Sequence, residues 1–171
     1  MLGAIYSSVG ELMGEGVTKI SFPVIAERAG VNPTTLYRRW HDVNALLEEV
    51  AVAALTRDGD SAPDTGSLEE DLTEWAIVIA RDITRPKRTR YLRAMVSARA
   101  EIVSSCPVME TRREQATEMV RRAHERGEAT PTVPQILDHV IAPLYHHVAF
   151  ALAVDHEYAR RLVRDVLAMV R

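Results

Sequence analysis

The sequence lacks the features of several large protein classes. Its only cysteine is Cys106, so no intrachain disulfide can form, and a reducing compartment is compatible with the chain. The longest apolar tract, about residues 140–154, is interrupted by Pro143, His146 and His147, and it is too short and too polar to span a bilayer. No basic segment followed by an apolar run precedes the first helix, so no signal peptide is visible. These absences predict a cytoplasmic protein.

Catalytic signatures are also missing. The sequence has no glycine-rich phosphate loop, no GxSxG, no HExxH and no matched pair of carboxylates. The adjacent acids Glu48–Glu49 and Glu69–Glu70 are interpreted as solvated helix faces. We therefore predict that the chain is not an enzyme and has no cofactor.

Histidines are the only other candidates for metal chemistry. His139 and His146 are seven residues apart and share a helix face, and His147 is adjacent to the second of them. A tetrahedral site would need further ligands, for which His124 and His156 are available, but nothing in the spacing requires them. We interpret these histidines as capping or interface residues and predict no metal site.

The sequence has no excess of positive charge. The chain has 21 Lys and Arg against 24 Asp and Glu, a formal net charge of −3. Within residues 1–47 the basic and acidic side chains cancel. A broadly basic nucleic-acid binder is excluded, and any DNA binding has to come from the local placement of a few cations.

Helix signals fill the sequence, whereas sustained apolar–polar alternation is absent. We predict an all-α fold of about nine helices. The first lies within residues 2–20 and ends at Gly16 and Val17. The others span about 21–30, 33–40, 43–57, 67–84, 87–103, 107–127, 133–154 and 155–170, with a loop over residues 57–67.

The segment 24–47 is the most informative. Its pattern predicts a short helix that ends at Gly30, a tight turn, and a second helix capped by Asn32 with Pro33 at its first position. Leu36 and Trp40 are four residues apart and should face the core. This is a helix-turn-helix, in which one helix supports another for entry into the DNA major groove.

The outer faces of that second helix carry hydrogen-bond donors. Hydroxyls, a phenol and guanidinium groups are suited to bind phosphates and base edges. The alternative is an αα-corner with a solvated polar face. The predicted DNA-binding residues are Thr34, Thr35, Tyr37, Arg38 and Arg39.

These residues resemble the DNA-binding domain of TetR-type transcriptional regulators. The matching positions are Ser21, Ile25, Ala26, Ala29, Gly30, Val31, Asn32, Thr35, Leu36, Tyr37, Trp40 and Leu46. The resemblance implies an all-α homodimer with a helix-turn-helix DNA-binding domain over residues 1–47 and a helical effector-binding and dimerisation domain over residues 48–171. The chain departs from the family where Asp42 and Val43 replace the usual Ser-Lys, and where only Met1–Gly3 stand in place of a basic arm.

The eighth predicted helix is apolar almost all round, so two of its sides should be buried. One side would be the subunit core, and the other a partner subunit packed against the last two helices, as the resemblance also implies. The short motifs Arg126–Glu128 and Ala142–Tyr145 are similar to one C-terminal subgroup of the family. The predicted dimer-interface residues are Val140, Leu144, Val148, Leu162 and Val166.

An effector pocket would lie inside helices five to eight. Its candidates combine apolar, methionine and single polar side chains, a mixture that suits a mainly hydrophobic or aromatic ligand. They are Trp75, Ile79, Met95, Arg99, Met109, Arg113, Met119, His139, Tyr145 and His146. The alternative for each of them is ordinary core or interface.

The sequence therefore predicts a dimeric regulator that binds a double-stranded DNA operator as a repressor and is released by a small molecule. The alternative is a dimeric helical ligand-binding or protein-interaction module with weak DNA affinity.

Overall fold

The computed structural model describes residues 1–17, 19–56, 61–98 and 106–170. These residues form nine helices and no strand, so the predicted all-α class is confirmed. The first seven are α1 (Leu2–Gly14), α2 (Phe22–Ala29), α3 (Pro33–Arg39), α4 (Val43–Thr56), α5 (Leu68–Ile83), α6 (Pro86–Ala98) and α7 (Pro107–Glu125). Helix α8 runs through Val133–Ile136, Leu137–Ile141 and Ala142–Ala149, and α9 is His156–Ala168.

Two compact units are interleaved along the chain. Unit 1 comprises Met1–Arg57 and Pro86–Ile102, and unit 2 comprises Asp58–Arg85 and Val103–Arg171. Unit 1 therefore contains α4 and α6 in addition to the three predicted DNA-binding helices. The assignment of DNA binding to residues 1–47 and of effector binding to residues 48–171 stays a prediction.

Unit 1 has its own apolar core. Helix α1 packs against α2, and α4 packs against α6 along its length. Ile25, Leu36 and Leu46 are fully buried there. Gly10 allows a close approach of α1 to α6, because a Cβ at this position would overlap the hydroxyl of Tyr91. The core fixes the helices that present α3.

Unit 2 is a helical bundle in which α5 packs against α7, α8 and α9. Leu72, Met119 and Ile141 have no exposed surface. The interior of this unit is therefore built from α5, α7 and α8, with α9 closing one side.

The Arg126–Glu128 motif joins the end of α7 to the start of α5. Gly127 takes a φ of +77°, which favours glycine. The turn places a Glu128 oxygen 2.9 Å from the backbone nitrogen of Leu68, which donates to it. This bond, and then Arg126, lowers the pKa of Glu128. Arg126 also lies 3.7 Å from the fully buried carboxylate of Asp71. The motif resembling a family subgroup thus has a structural role in unit 2.

Helix α8 differs from the prediction of one helix over 133–154. It ends at Ala149, and its middle, Leu137–Ile141, is a wide π-helical turn in which the N–H of Ala142 donates to the carbonyl of Leu137. Pro143 explains the turn, because proline has no N–H and its ring would collide with the carbonyl four residues earlier. The helix also starts with a complete capping box between Thr132 and Gln135, which the sequence analysis did not identify.

The N-cap predicted at Asn32 is confirmed, and Asp42 caps the following helix in the same way. Asn32 accepts a hydrogen bond from the nitrogen of Thr34 at 2.9 Å, and Asp42 accepts one from the nitrogen of Ala45 at 2.9 Å. Ser21 occupies its N-cap position, but its side chain makes no capping bond there. The predicted end of helix six at Val103 lies outside the described residues.

Candidate nucleic-acid interface

The turn between α2 and α3 is built by short-range contacts. Gly30 ends α2 with a φ of +64°, and the nitrogen of Val31 donates to the carbonyl of Ala26 at 3.0 Å. Leu36 is fully buried and Trp40 is 4% exposed, so these two side chains anchor α3 in the core of unit 1. The remaining faces of α3 are left for solvent or a ligand.

The predicted DNA-binding side chains lie on those faces. Thr34, Arg38 and Arg39 are exposed, and Thr35 is half-buried. Tyr37 is 60% exposed, and its ring packs edge-on against Phe22 with centroids 4.8 Å apart. The phenol is therefore held in position while most of it stays open. The arrangement presents two hydroxyls, a phenol and two guanidinium groups on one short helix.

Glu49 on α4 holds the C-terminal end of α3. One of its oxygens accepts from Trp40 Nε1 at 2.7 Å, and the other lies 3.3 Å from Arg39 Nη2 and also accepts from the hydroxyl of Tyr6. Burial, and then Glu49, raises the pKa of Tyr6 to about 12. Burial alone would raise the pKa of Glu49, but the hydrogen bonds from Tyr6 and Trp40 together with Arg39 lower it. The interpretation of this acid as part of a solvated face is wrong, because it accepts bonds from three side chains, one on α1 and two at the end of α3.

The cluster divides the roles of the two arginines on α3. Arg39 pairs with Glu49 and lies over the ring of Trp40, with 5.0 Å from its Cζ to the ring centroid. Arg38 has no acidic partner within the described part of the chain. Arg28, on the neighbouring helix, is paired through both terminal nitrogens with Glu15 at 2.7 and 3.0 Å. Arg38 is therefore the cation on α3 whose charge is most available to a phosphate or a base.

Glu49→Gln should destabilise unit 1 by about 1–2 kcal/mol, because a single amide oxygen cannot accept from Tyr6, Trp40 and Arg39 together. The measurement is urea unfolding followed by circular dichroism. Glu27→Gln, at an exposed acid of α2, is the matched control and should change the free energy of unfolding by less than about 0.5 kcal/mol.

The difference in the free energy of unfolding between wild type and Glu49→Gln should depend on pH. Because the pKa of Glu49 is lowered in the folded protein, its stabilisation is complete above the ordinary value of 4.5 and is lost as pH falls through the lowered value. The gap between wild type and Glu49→Gln should therefore close on acidification below about pH 4.5. Equal stabilities of both proteins at neutral pH would contradict this role of Glu49.

The predicted ligand-binding residues are scattered in the structure. Trp75, Ile79, Met119 and Tyr145 are buried in unit 2, whereas Met95 is buried in unit 1. Met109 is half-buried. Arg113, His139 and His146 lie on exposed faces, and Arg113 is 3.6 Å from Glu110. Arg99 lies outside the described residues.

Two buried polar residues of α7 were missed by the sequence analysis. Arg112 is 8% exposed and Gln115 is 7% exposed. Gln115 Oε1 accepts from Trp75 Nε1 at 3.0 Å and from Arg112 Nη1 at 2.9 Å, and Arg112 Nε lies 3.3 Å from the hydroxyl of Tyr145. This network, Trp75–Gln115–Arg112–Tyr145, joins α5, α7 and α8 inside unit 2.

The five predicted dimer-interface residues lie inside the subunit. Val140, Leu144 and Val166 have no exposed surface, and Val148 and Leu162 are 4% and 8% exposed. The expectation that helix eight has more apolar surface than one subunit covers does not hold for these side chains. Large apolar groups are exposed instead at Phe150, Leu152 and Met169.

Within the described residues, no group of three or more His, Cys, Asp or Glu side chains is arranged to hold a metal ion. His147 stacks on Tyr158 with centroids 4.3 Å apart, and His146 contacts Phe150. Across the same described ranges, no helix has the length and apolar character needed to cross a membrane.

Known proteins similar to this chain are transcriptional regulators. The HTH-type transcriptional regulator AqdR of Rhodococcus erythropolis is 33% identical over 120 residues, which cover 66% of this chain and 56% of that protein. The DNA-binding transcriptional repressor TetR of Mycobacteroides abscessus is 29% identical over an aligned length of 171 residues. The alignment covers 93% of this chain and 87% of that protein.

The crystal structure of the TetR family transcription regulator SCO0332 superimposes with a TM-score of 0.70 and 26% sequence identity, covering 99% of this chain and 97% of that one. Residues 62–166, more than half of the chain, match the family described as "Tetracyclin repressor-like, C-terminal domain". Proteins of this kind regulate transcription and are not enzymes. The chain belongs to the TetR family of transcriptional regulators.

Proposed function

We propose that this protein is a repressor that binds a pseudo-palindromic operator as a homodimer and is released by a small, mainly hydrophobic ligand. The observation that carries the proposal is α3, whose core side is fixed by Leu36, Trp40 and the bonds to Glu49 while its donors stay exposed. A rigid helix with free donors is what reading of a major groove requires. The relative from Mycobacteroides abscessus is named as a repressor, which supports repression over activation for this protein.

DNA contact in this proposal is made by Thr34, Thr35, Tyr37, Arg38 and Arg39. Since residues 1–47 carry no net charge, one subunit alone supplies few phosphate contacts. A dimer doubles these contacts and places two recognition helices on successive half-sites. The zero balance of charge and the missing family lysine at Val43 thus favour dimeric binding over binding by a monomer.

Dimerisation is assigned to the last two helices. The side chains predicted for it are buried within the subunit, so we assign the contact to exposed apolar groups just beyond the C-terminal ends of these helices, Phe150, Leu152 and Met169. Ligand binding in unit 2 would change the spacing between the recognition helices of the two subunits, so that they no longer match successive major grooves.

One observation favours the alternative of a helical module with weak DNA affinity. Arg28 and Arg39 are already paired with acidic residues, which leaves Arg38 as the available arginine of α2 and α3. Weak binding would then follow from the shortage of phosphate contacts.

A selection from random DNA duplexes tests the proposal. Wild-type protein at low salt should enrich a pseudo-palindrome whose half-sites are about one helical turn or slightly more apart. Insertion of five base pairs between the half-sites rotates one of them by about half a turn and should weaken binding to the level of a single half-site. Selection that returns no enriched palindrome would favour the alternative.

A further inference from the structure

Arg112 is a buried cation that the proposed DNA contacts do not use. It is 8% exposed, and its hydrogen bonds go to two neutral acceptors, the hydroxyl of Tyr145 and the amide oxygen of Gln115. No acidic residue in the part of the chain that the structure describes forms an ion pair with it. A buried guanidinium without a carboxylate is unfavourable, because neutral acceptors only partly replace the water it has lost.

Donors remain unused around this cation. A guanidinium has five N–H groups, and the bonds of Arg112 involve only Nε and Nη1, so its Nη2 has no acceptor among the described residues. Burial raises the pKa of Tyr145, Arg112 opposes that rise, and the more distant charge of Asp82 adds to it, so the phenol stays protonated. The Tyr145 oxygen accepts from Arg112, and its own hydrogen has no acceptor in the described ranges. A guanidinium nitrogen and a phenol therefore offer donors to a third group.

The network also fixes the orientation of the cation. Gln115 Oε1 accepts from both Trp75 and Arg112, which uses both lone pairs of that oxygen. Trp75 and Tyr145 lie on α5 and α8, so the guanidinium is tied to both neighbouring helices. Such a preorganised donor set costs little to order when a ligand binds.

We propose that the effector is an apolar molecule carrying one carboxylate, and that Arg112 and Tyr145 bind that carboxylate. This rests on the proposed function, in which unit 2 is the effector-binding part. Hydrogen bonds between a guanidinium and a carboxylate are charge-assisted and about twice as strong as bonds between neutral groups. A phosphate carries a charge of about −1.5 to −2, which one cation would leave partly uncompensated. Ile79 and Met119 are buried one turn from Trp75 and Gln115, so the groups of α5 and α7 next to these donors are apolar and would contact an apolar ligand body.

Matched probes test the charge requirement. Benzoate, 2-naphthoate and octanoate are compared with benzamide, 2-naphthamide and octanamide in thermal-shift and calorimetric titrations of the full chain. At least one carboxylate should raise the melting temperature in a concentration-dependent way and bind about tenfold or more tightly than its amide. Binding of no carboxylate, or equal binding of each acid and its amide, would overturn the proposal.

Variants locate the site. Arg112→Met should weaken the best carboxylate by about tenfold or more and leave its amide unchanged, whereas Arg160→Met, at an exposed arginine of α9, should change neither. If Arg112→Met does not fold, Tyr145→Phe decides, because it keeps the ring and removes the phenolic donor. Unweakened carboxylate binding by whichever variant folds would overturn the assignment.

Operator release is read separately by fluorescence anisotropy. A carboxylate that binds through Arg112 but leaves operator affinity unchanged would contradict release of the repressor by this ligand. The proposed carboxylate site would still be supported. Operator binding by a protein that binds none of the carboxylates would contradict the carboxylate site at Arg112 and Tyr145. The proposed DNA-binding function would still be supported.

Discussion

Val166→Glu is expected to unfold unit 2 and not to release folded monomers. Val166 has no exposed surface within the single subunit, so the new carboxylate would be buried without a partner. An uncompensated buried charge costs roughly 3–5 kcal/mol, which is a large part of the stability of a domain this size. Leu144→Glu should have the same effect, because Leu144 is equally buried.

Circular dichroism melting and sedimentation measure this outcome together. Phe150→Glu is the matched control, since Phe150 is 70% exposed and a charge there stays in water. It should keep native helix content and a melting temperature within about 2–4 °C of wild type. If the proposed dimer uses this surface, Phe150→Glu should also sediment as a monomer. A folded, monomeric Val166→Glu would contradict the burial assigned to this residue.

Local chemistry explains which parts of the fold were predictable from the sequence. The turn at Gly30 and the caps at Asn32 and Asp155 depend on residues only a few positions apart, so the sequence contains all the interacting groups. The start of α3 and the start of α9 were therefore predicted correctly. The exposed positions of α3 could also be predicted, because burial of Leu36 and Trp40 determines which faces of the helix point to solvent.

Helix α8 shows where such reasoning fails. An apolar pattern indicates burial but does not say which neighbour covers the side chain. The wide turn at Leu137–Ile141 adds a residue to one turn and shifts the phase of everything after it. Ile136 and Ile141, which a regular helix would place about 140° apart, consequently both lie in the core of one subunit.

The sequence predicted Arg113 as a ligand-binding residue, whereas the buried arginine is Arg112, and this error has a similar cause. Neighbouring positions on a helix face directions about 100° apart, so an error of one residue replaces a buried cation with an exposed one. A signal was present in the sequence. Arg112 lies on the apolar stripe that runs through Val108, Met119 and Ala123, and a charged residue on such a stripe indicates a buried polar site. Glu49 was missed because its partners Tyr6 and Trp40 come from two other parts of the chain.

Arg38→Ala is expected to weaken operator binding by about 1–3 kcal/mol, or roughly 5- to 150-fold. Arg38 is exposed on α3 and forms no ion pair with an acidic residue in the described ranges, so its charge is available to DNA there. The substitution removes one cation from each half-site of a dimer. If Arg38 binds a phosphate, the slope of log affinity against log salt should also fall by about one for each phosphate that is no longer bound.

The most direct test of operator binding through α3 is therefore fluorescence anisotropy with the selected duplex, comparing wild type, Arg38→Ala and Arg81→Ala over a range of salt. Arg81 is an exposed arginine of α5 that the proposal does not place in contact with DNA. Arg81→Ala therefore changes the net charge by the same amount as Arg38→Ala. We predict a loss of affinity for Arg38→Ala alone, with Arg81→Ala indistinguishable from wild type. Equal affinities of all three proteins, or equal losses in both variants, would contradict operator binding through α3.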